Sequence, residues 1–212
     1  LMIEKILIPF CGYPIYKICT GTILTPDELG FIYSLNKRPH KSNYYAPAKL
    51  SLTATVNMLE SKELKRIKDI IWKQFSDYVD EVLEIENQFY ICNSWATVQE
   101  KGFWHPKHNH PNSVFGSVFY AQAENSILSF SVNKCKLMEG FFMHWKIKNH
   151  NFFNSSSWDV PVNTGDMIIF PGEIAHESPV HGGPNDRIAI GTSYFPKGEF
   201  GSTDQYNLMK IS

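Results

Sequence analysis

Apolar residues recur at three- and four-residue spacing in one stretch of this chain and at closer spacing through most of the rest. Within residues 61–84, Leu64, Ile67, Ile71, Phe75, Tyr78, Val79 and Val82 share one face of a helix. Lys62, Lys65, Lys68, Lys73 and Asp77 fall mostly elsewhere, so the spacing predicts a helix laid on a sheet. An earlier helix starts at Thr25-Pro26-Asp27-Glu28. There Thr25 caps, Pro26 occupies the first turn and Glu28 closes a capping box. It should end near Asn36, before Pro39. Residues 1–9 read as a first strand, and 41–51, polar with Pro47, as a loop.

After Gln88 the pattern changes. Short runs rich in β-branched and aromatic residues cover 89–98, 114–122, 127–131, 141–147, 158–162, 167–170 and 187–195, with Gly, Pro and Asn between them. This order predicts a mainly β chain with N-terminal helices (α+β), folded as an antiparallel jelly roll or cupin-like barrel. One domain is expected. Residues 1–87 would pack a strand and helices on the barrel, 88–197 would form the catalytic core, and 198–212 a tail.

Composition narrows the function. The chain has 212 residues, 43% hydrophobic and 14% aromatic, enough for a full core. Lys and Arg number 20 against 21 Asp and Glu, so no charge excess points to nucleic acid or an anionic membrane. No apolar run approaches the ~18 residues of a membrane span. The apolar start carries Glu4 and Lys5 and lacks a small-residue cleavage site, which reads as a strand rather than a signal peptide. Cys11, Cys19, Cys92 and Cys135 form no Cys-x-x-Cys pair. Buried free thiols in a reducing cytoplasm are the expectation.

The chemistry concentrates in histidines. His108 and His110 stand in Trp104-His105-Pro106-Lys107-His108-Asn109-His110-Pro111, and on one extended strand residues two apart share a face. His-x-His is a weak signal by itself. A second unit strengthens it: a turn at 163–166, the apolar strand 167–170, the turn Pro171-Gly172, and then His176. Together His108, His110 and His176 suit one metal ion with positions left open for substrate or oxygen. His105 is out of phase and reads as a loop residue, and His181, before Gly182-Gly183, as a flexible rim residue. His40, His144 and His150 have no partner pattern.

Arg187 leads into the apolar run Ile188-Ala189-Ile190 and needs an anionic partner. A salt bridge to Asp186, Asp166 or Glu173 would serve. With the histidines present, a clamp on the carboxylate of a small cosubstrate is the sharper reading.

These residues resemble the Fe(II)- and 2-oxoglutarate-dependent oxygenases, in particular their bacterial and phage group with a His-x-His…His…Arg pattern. The resemblance covers residues 93–195. It is carried by Ser94-Trp95, Gly102…His108-Asn109-His110-Pro111, Val118-Phe119-Tyr120, Gly165-Asp166…Phe170-Pro171, His176 and Arg187-Ile188-Ala189-Ile190. It implies a double-stranded β-helix, with His108, His110 and His176 as metal ligands and catalytic residues. Arg187 would bind the far carboxylate of 2-oxoglutarate, with Tyr120 nearby. It further implies Fe(II), O2 and a small-molecule or peptide substrate, with succinate and CO2 formed; from the charge balance and hydropathy no nucleic acid or membrane partner is expected, and an oligomer is allowed.

Two departures stand out. His110 occupies the superfamily's usual carboxylate position, and Ala189 the usual serine position, so one hydrogen bond to the cosubstrate carboxylate is lost or comes from Ser193 or Ser117 instead. Two rivals share the fold. One is a cupin-type three-histidine dioxygenase or zinc enzyme without 2-oxoglutarate, although the cupin glutamate is missing around Ser113-Val114-Phe115. The other is a non-catalytic jelly-roll binding module.

Overall fold

The structure is a computed structural model that describes residues 12–39, 50–132, 146–151 and 154–211. The expected strand at 1–9, most of the expected loop 41–51 and most of the expected strand 141–147 lie outside these residues, as do Cys11, Cys135, His40 and His144. In chain order the strands are β1 (Tyr16–Cys19), β2 (Lys37–Pro39), β3 (Leu50–Thr53), β4 (Gln88–Gln99), β5 (His105–His108) and β6 (Phe115–Gln122). They continue with β7 (Ser126–Ser131), β8 (Ser157–Val162), β9 (Asp166–Pro171), β10 (Ala175–Ser178), β11 (Arg187–Phe200) and β12 (Met209–Ile211). The helices are α1 (Pro26–Ser34) and α2 (Lys65–Asp77).

A large antiparallel sheet runs β1-β9-β6-β11-β4-β3-β2, with β12 paired to the far end of β11; a smaller one runs β5-β10-β7-β8. Tyr120, Ile168, Phe170 and Ala189 of the large sheet pack in one cluster with Leu128, Phe130 and Val162 of the small sheet. This is the double-stranded β-helix, or jelly roll. The other face of the large sheet meets the helices: Phe119, Met167, Ile169, Ile188 and Ile190 join Ile67, Ile71 and Phe75 of α2. Alternate residues of β6, β9 and β11 therefore feed two different cores. Strands buried on both faces read as unbroken apolar runs rather than as alternation. This is why 167–170 and 187–195 were legible as strands.

The helix layer follows its local signals. Thr25 Oγ1 accepts the Glu28 N–H and the Glu28 carboxylate accepts the Thr25 N–H, closing the box at the start of α1. The expected continuous helix at 61–84 is instead segmented. Two 3-10 turns (Met58–Glu60 and Lys62–Leu64) precede α2, and a π turn (Tyr78–Val82) follows it. Leu64, Ile67, Ile71, Phe75, Tyr78 and Val79 are buried as expected. The wider π turn rotates the stripe away from the sheet, leaving Val82 exposed. β11 runs on to Phe200, and β12 pairs with it, so the segment expected as a tail carries sheet structure. Among the described residues no helix is long and apolar enough to cross a membrane.

Candidate metal centre

β10 and β5 are neighbours in the small sheet, and their register sets His176 directly opposite His108. His110 arrives differently from the expectation. β5 ends at His108, so the two histidines do not share a regular strand face. Instead the His110 N–H donates to the Gly172 carbonyl at 2.8 Å, and the ring packs over Gly116. A Cβ at Gly116 would stand 2.7 Å from His110 Nδ1, so this position must be glycine for the ring to sit there. The ligand-capable atoms of His108, His110 and His176 all lie within 4.8 Å of one another.

The ring nitrogens are oriented. His108 Nδ1 lies 2.8 Å from the Pro106 carbonyl and His176 Nδ1 lies 3.1 Å from the Ile174 carbonyl. A carbonyl only accepts, so each Nδ1 carries the proton and each Nε2 presents a lone pair. His110 Nδ1 lies 3.5 Å from Ser193 Oγ. Burial lowers the basicity of all three. Desolvation, then repulsion from neighbouring imidazoles, holds His110 at about 4 and His176 at about 3; desolvation also lowers His108. The rings are thus neutral near pH 7, the state in which imidazole binds a metal. Three converging neutral nitrogens on a half-enclosed cavity fit a divalent ion with open coordination positions.

Arg187 opens β11, opposite Gln99 of β4, and only 4% of its surface is exposed. Among the described residues no acid pairs with it, so the expected salt-bridge alternatives at Asp186, Asp166 and Glu173 are not formed. Asp166 bridges Lys17 instead. One guanidinium nitrogen donates to Gln99 Oε1 at 3.3 Å, Nε has no partner, and the group lies 5.0 Å from the centre of the Tyr120 ring. The Tyr120 hydroxyl is also buried without a partner. A buried cation and hydroxyl left open side by side call for an anion. Both Arg187 and the histidines line one cavity, with Trp95, Ala189 and Gly191 between them.

Other expectations are corrected. His105 is not a loop residue: it opens β5, pairs with Ser178 and stacks on His108 with ring centres 4.3 Å apart. His181 is not a flexible rim residue. It is buried, its Nε2 lies 2.6 Å from the Asn185 carbonyl, and its backbone bonds with Gly102 and Phe103. Cys19 is exposed and Cys92 half-buried rather than buried. Ser117 is committed to the Tyr194 hydroxyl at 2.9 Å, so of the two candidate serines Ser193 is the one beside the histidines. Sequence reasoning also missed Gln99, which accepts from Arg187 and Ser178 and donates to the Phe103 and Pro179 carbonyls.

A family model described as "Putative 2OG-Fe(II) oxygenase" matches residues 93–192, from β4 through the buried half of β11. The matched stretch holds His108, His110, His176 and Arg187. No curated protein matches this chain. Among solved structures, the fold aligns with that of the non-heme alpha-ketoglutarate-dependent epimerase SnoN from nogalamycin biosynthesis. That match covers 90% of this chain and 82% of SnoN at 10% identity, with a TM-score of 0.60. A Pseudomonas putida prolyl-4-hydroxylase aligns over 88% of this chain and 94% of its own, at 10% identity and a TM-score of 0.55. HygX from Streptomyces hygroscopicus, solved with nickel and 2-oxoglutarate bound, aligns over 87% and 83%, at 12% identity and a TM-score of 0.53. At these identities the likeness is one of fold.

Proposed function

We propose that this chain is an Fe(II)- and 2-oxoglutarate-dependent oxygenase, and within that class a hydroxylase. It would use Fe(II), 2-oxoglutarate and O2 on a small-molecule or peptide substrate in the cytoplasm, releasing succinate and CO2. The observation that carries the reading is the unpaired guanidinium of Arg187 in the same cavity as three converging imidazoles. His108, His110 and His176 would hold the iron through Nε2, with the Pro106 and Ile174 carbonyls fixing the rings of His108 and His176. The iron, when bound, supplies the oxygen activation that side chains cannot.

The residues of this chain bind and orient. Arg187 receives the far carboxylate of the cosubstrate, using the Nε that has no protein partner. The Tyr120 hydroxyl adds a donor beside it. Ala189 and Gly191 leave the floor between Arg187 and the histidines low enough for the cosubstrate chain. Gln99 holds Arg187 in place while its own amide is fixed by two carbonyls. Val118 and Leu128 exclude water from the inner wall.

The test is calorimetric titration of 2-oxoglutarate into iron-loaded protein under nitrogen. Removing one partner of a buried charge pair costs on the order of 3–5 kcal/mol. Arg187→Leu should therefore weaken binding ~100-fold or more. Equal affinity in the variant would remove Arg187 from the site. Stoichiometric metal with no 2-oxoglutarate binding in the wild type would instead favour the three-histidine dioxygenase or zinc reading.

A further inference from the structure

We infer that the group of the substrate that enters this cavity is an uncharged ring, and that Trp95 is the residue that selects it. The inference deepens the oxygenase reading and rests on it. Its starting point is the way the Trp95 indole is seated.

Trp95 of β4 lies directly opposite Gly191 of β11. A Cβ at Gly191 would stand 2.5 Å from indole Cε2, 2.6 Å from Cζ2 and 2.9 Å from Nε1. The ring-fusion carbon is the nearest of the three. An in-plane approach would meet Nε1 and Cζ2 first, so the indole presents a face to Gly191 and not its edge. Trp95 lines the cavity together with His108, His110 and His176. The indole also meets His110 in a T-shaped arrangement, with ring centres 5.3 Å apart. A half-buried flat aromatic surface therefore borders the reacting centre, held by a glycine that cannot be enlarged.

Charge defines the rest. Among the described residues Arg187 is the one Lys, Arg, Asp or Glu side chain lining the cavity. Once a cosubstrate carboxylate occupies it, no described carboxylate, ammonium or guanidinium of the wall remains to pair with a charged substrate group, and beyond the three histidines His105 is the one further titratable side chain there. An ion entering there would lose its hydration without compensation. A neutral ring would stack on the indole and lose little. The Thr97 and Ser178 hydroxyls, also on the wall, donate to the Ala189 carbonyl and to Gln99 Oε1 and can accept from a neutral donor on that ring.

Three probes of matched size separate the cases: p-cresol, 4-methylbenzoate and 4-methylbenzylamine. Binding is followed by ligand-observed NMR on anaerobic protein loaded with Fe(II) and saturated with 2-oxoglutarate, itself verified beforehand by calorimetry. We expect p-cresol to bind at least tenfold more tightly than either ion, about 1.4 kcal/mol. Trp95→Ala should erase that preference, and Trp95→Phe should retain most of it. Benzoate or benzylamine binding as tightly as p-cresol would overturn the inference. So would a Trp95→Ala protein that keeps the preference, or one that loses metal affinity in proportion to its loss of cresol binding, since the indole would then only support His110. Failure of the preliminary 2-oxoglutarate titration would count against the oxygenase reading itself and is read separately from the probe series.

Discussion

The two faces of β11 were built for different ends. On the helix side, Ile188 and Ile190 are fully buried, and Tyr194 stacks on Phe75 with ring centres 3.6 Å apart and planes 3° from parallel. Its hydroxyl is satisfied by Ser117. On the barrel side, the same strand presents Arg187, Ala189, Gly191 and Ser193: one cation without an anion, then side chains small enough to leave space. The first face fills volume and leaves a neutral hydroxyl, Thr192 Oγ1, without a partner, while the second leaves a cation open and space unfilled. A strand of this kind separates stability from function at a spacing of one residue. Substitutions on its two faces, and on what packs against them, should therefore have separable effects.

The largest expected effect is on the barrel side. His176→Ala removes one of three converging nitrogens, and elemental analysis should find iron reduced to background with no succinate formed. In the wild type, added Fe(II) should raise Tm, because an ion that binds only the folded state stabilises it. In the variant that rise should vanish. An iron content unchanged in His176→Ala would show that the cluster is not the metal site.

The mirror experiment is Phe75→Ala on the helix side. Phe75 touches Phe89, Phe115 and Tyr194, and truncating such a residue costs about 3–5 kcal/mol. Urea denaturation should show that loss, while 2-oxoglutarate affinity of the remaining folded protein stays within about twofold of the wild type. A much larger fall in affinity would mean that the two faces are coupled and that the separation drawn here is false.

Arg187→Met sharpens the contrast, because its two effects have opposite signs. The variant should lose 2-oxoglutarate. Yet the cosubstrate-free protein should become more stable, by about 1–3 kcal/mol, since a buried charge without an anion is replaced by an apolar chain of similar length. A destabilised variant would show that Gln99 and the Tyr120 ring already compensate the guanidinium.

How much of this was legible in the sequence follows the same division. The helix side was readable: the stripe from Leu64 to Val79, the box at Thr25 and the apolar runs of β6, β9 and β11 all obey local rules. The site was readable only as residue types. β5 and β10 are four residues each, His-Pro-Lys-His and Ala-His-Glu-Ser, too short and too polar to announce themselves as strands. Strand parity brought His108 and His110 together on paper, whereas the fold does so through the bond to the Gly172 carbonyl. Gly116 and Gly191 carried a usable signal, because glycine inside an apolar strand marks a close approach. What approaches them, His110 and Trp95, depends on cross-strand register and on tertiary packing that no local pattern encodes. Gln99 looked like an ordinary strand end, and only pairing with β11 places it at Arg187.

The smallest predicted effect returns to the helix side, at a charge that is finished where Arg187 is not. Glu28 is buried, accepts the Thr25 N–H and takes two hydrogen bonds from Arg66. Burial alone would raise its pKa, but the bonds from Arg66 and from the Thr25 backbone outweigh it and hold the carboxyl below its ordinary value. A carboxyl lowered by folding stabilises the native state above its unfolded pKa of about 4.3, and that contribution is lost as pH falls through the folded value. Glu28→Gln should therefore cost about 1 kcal/mol at pH 7. That is the scale of a helix cap, because Arg66 is nearly half exposed and its charge is screened. Urea midpoints for both proteins should differ by a constant amount from pH 7 to about pH 5 and converge below about pH 4.3. A gap that widens as pH falls would show that the carboxylate destabilises the fold, and that this buried charge is as unfinished as the one in the barrel.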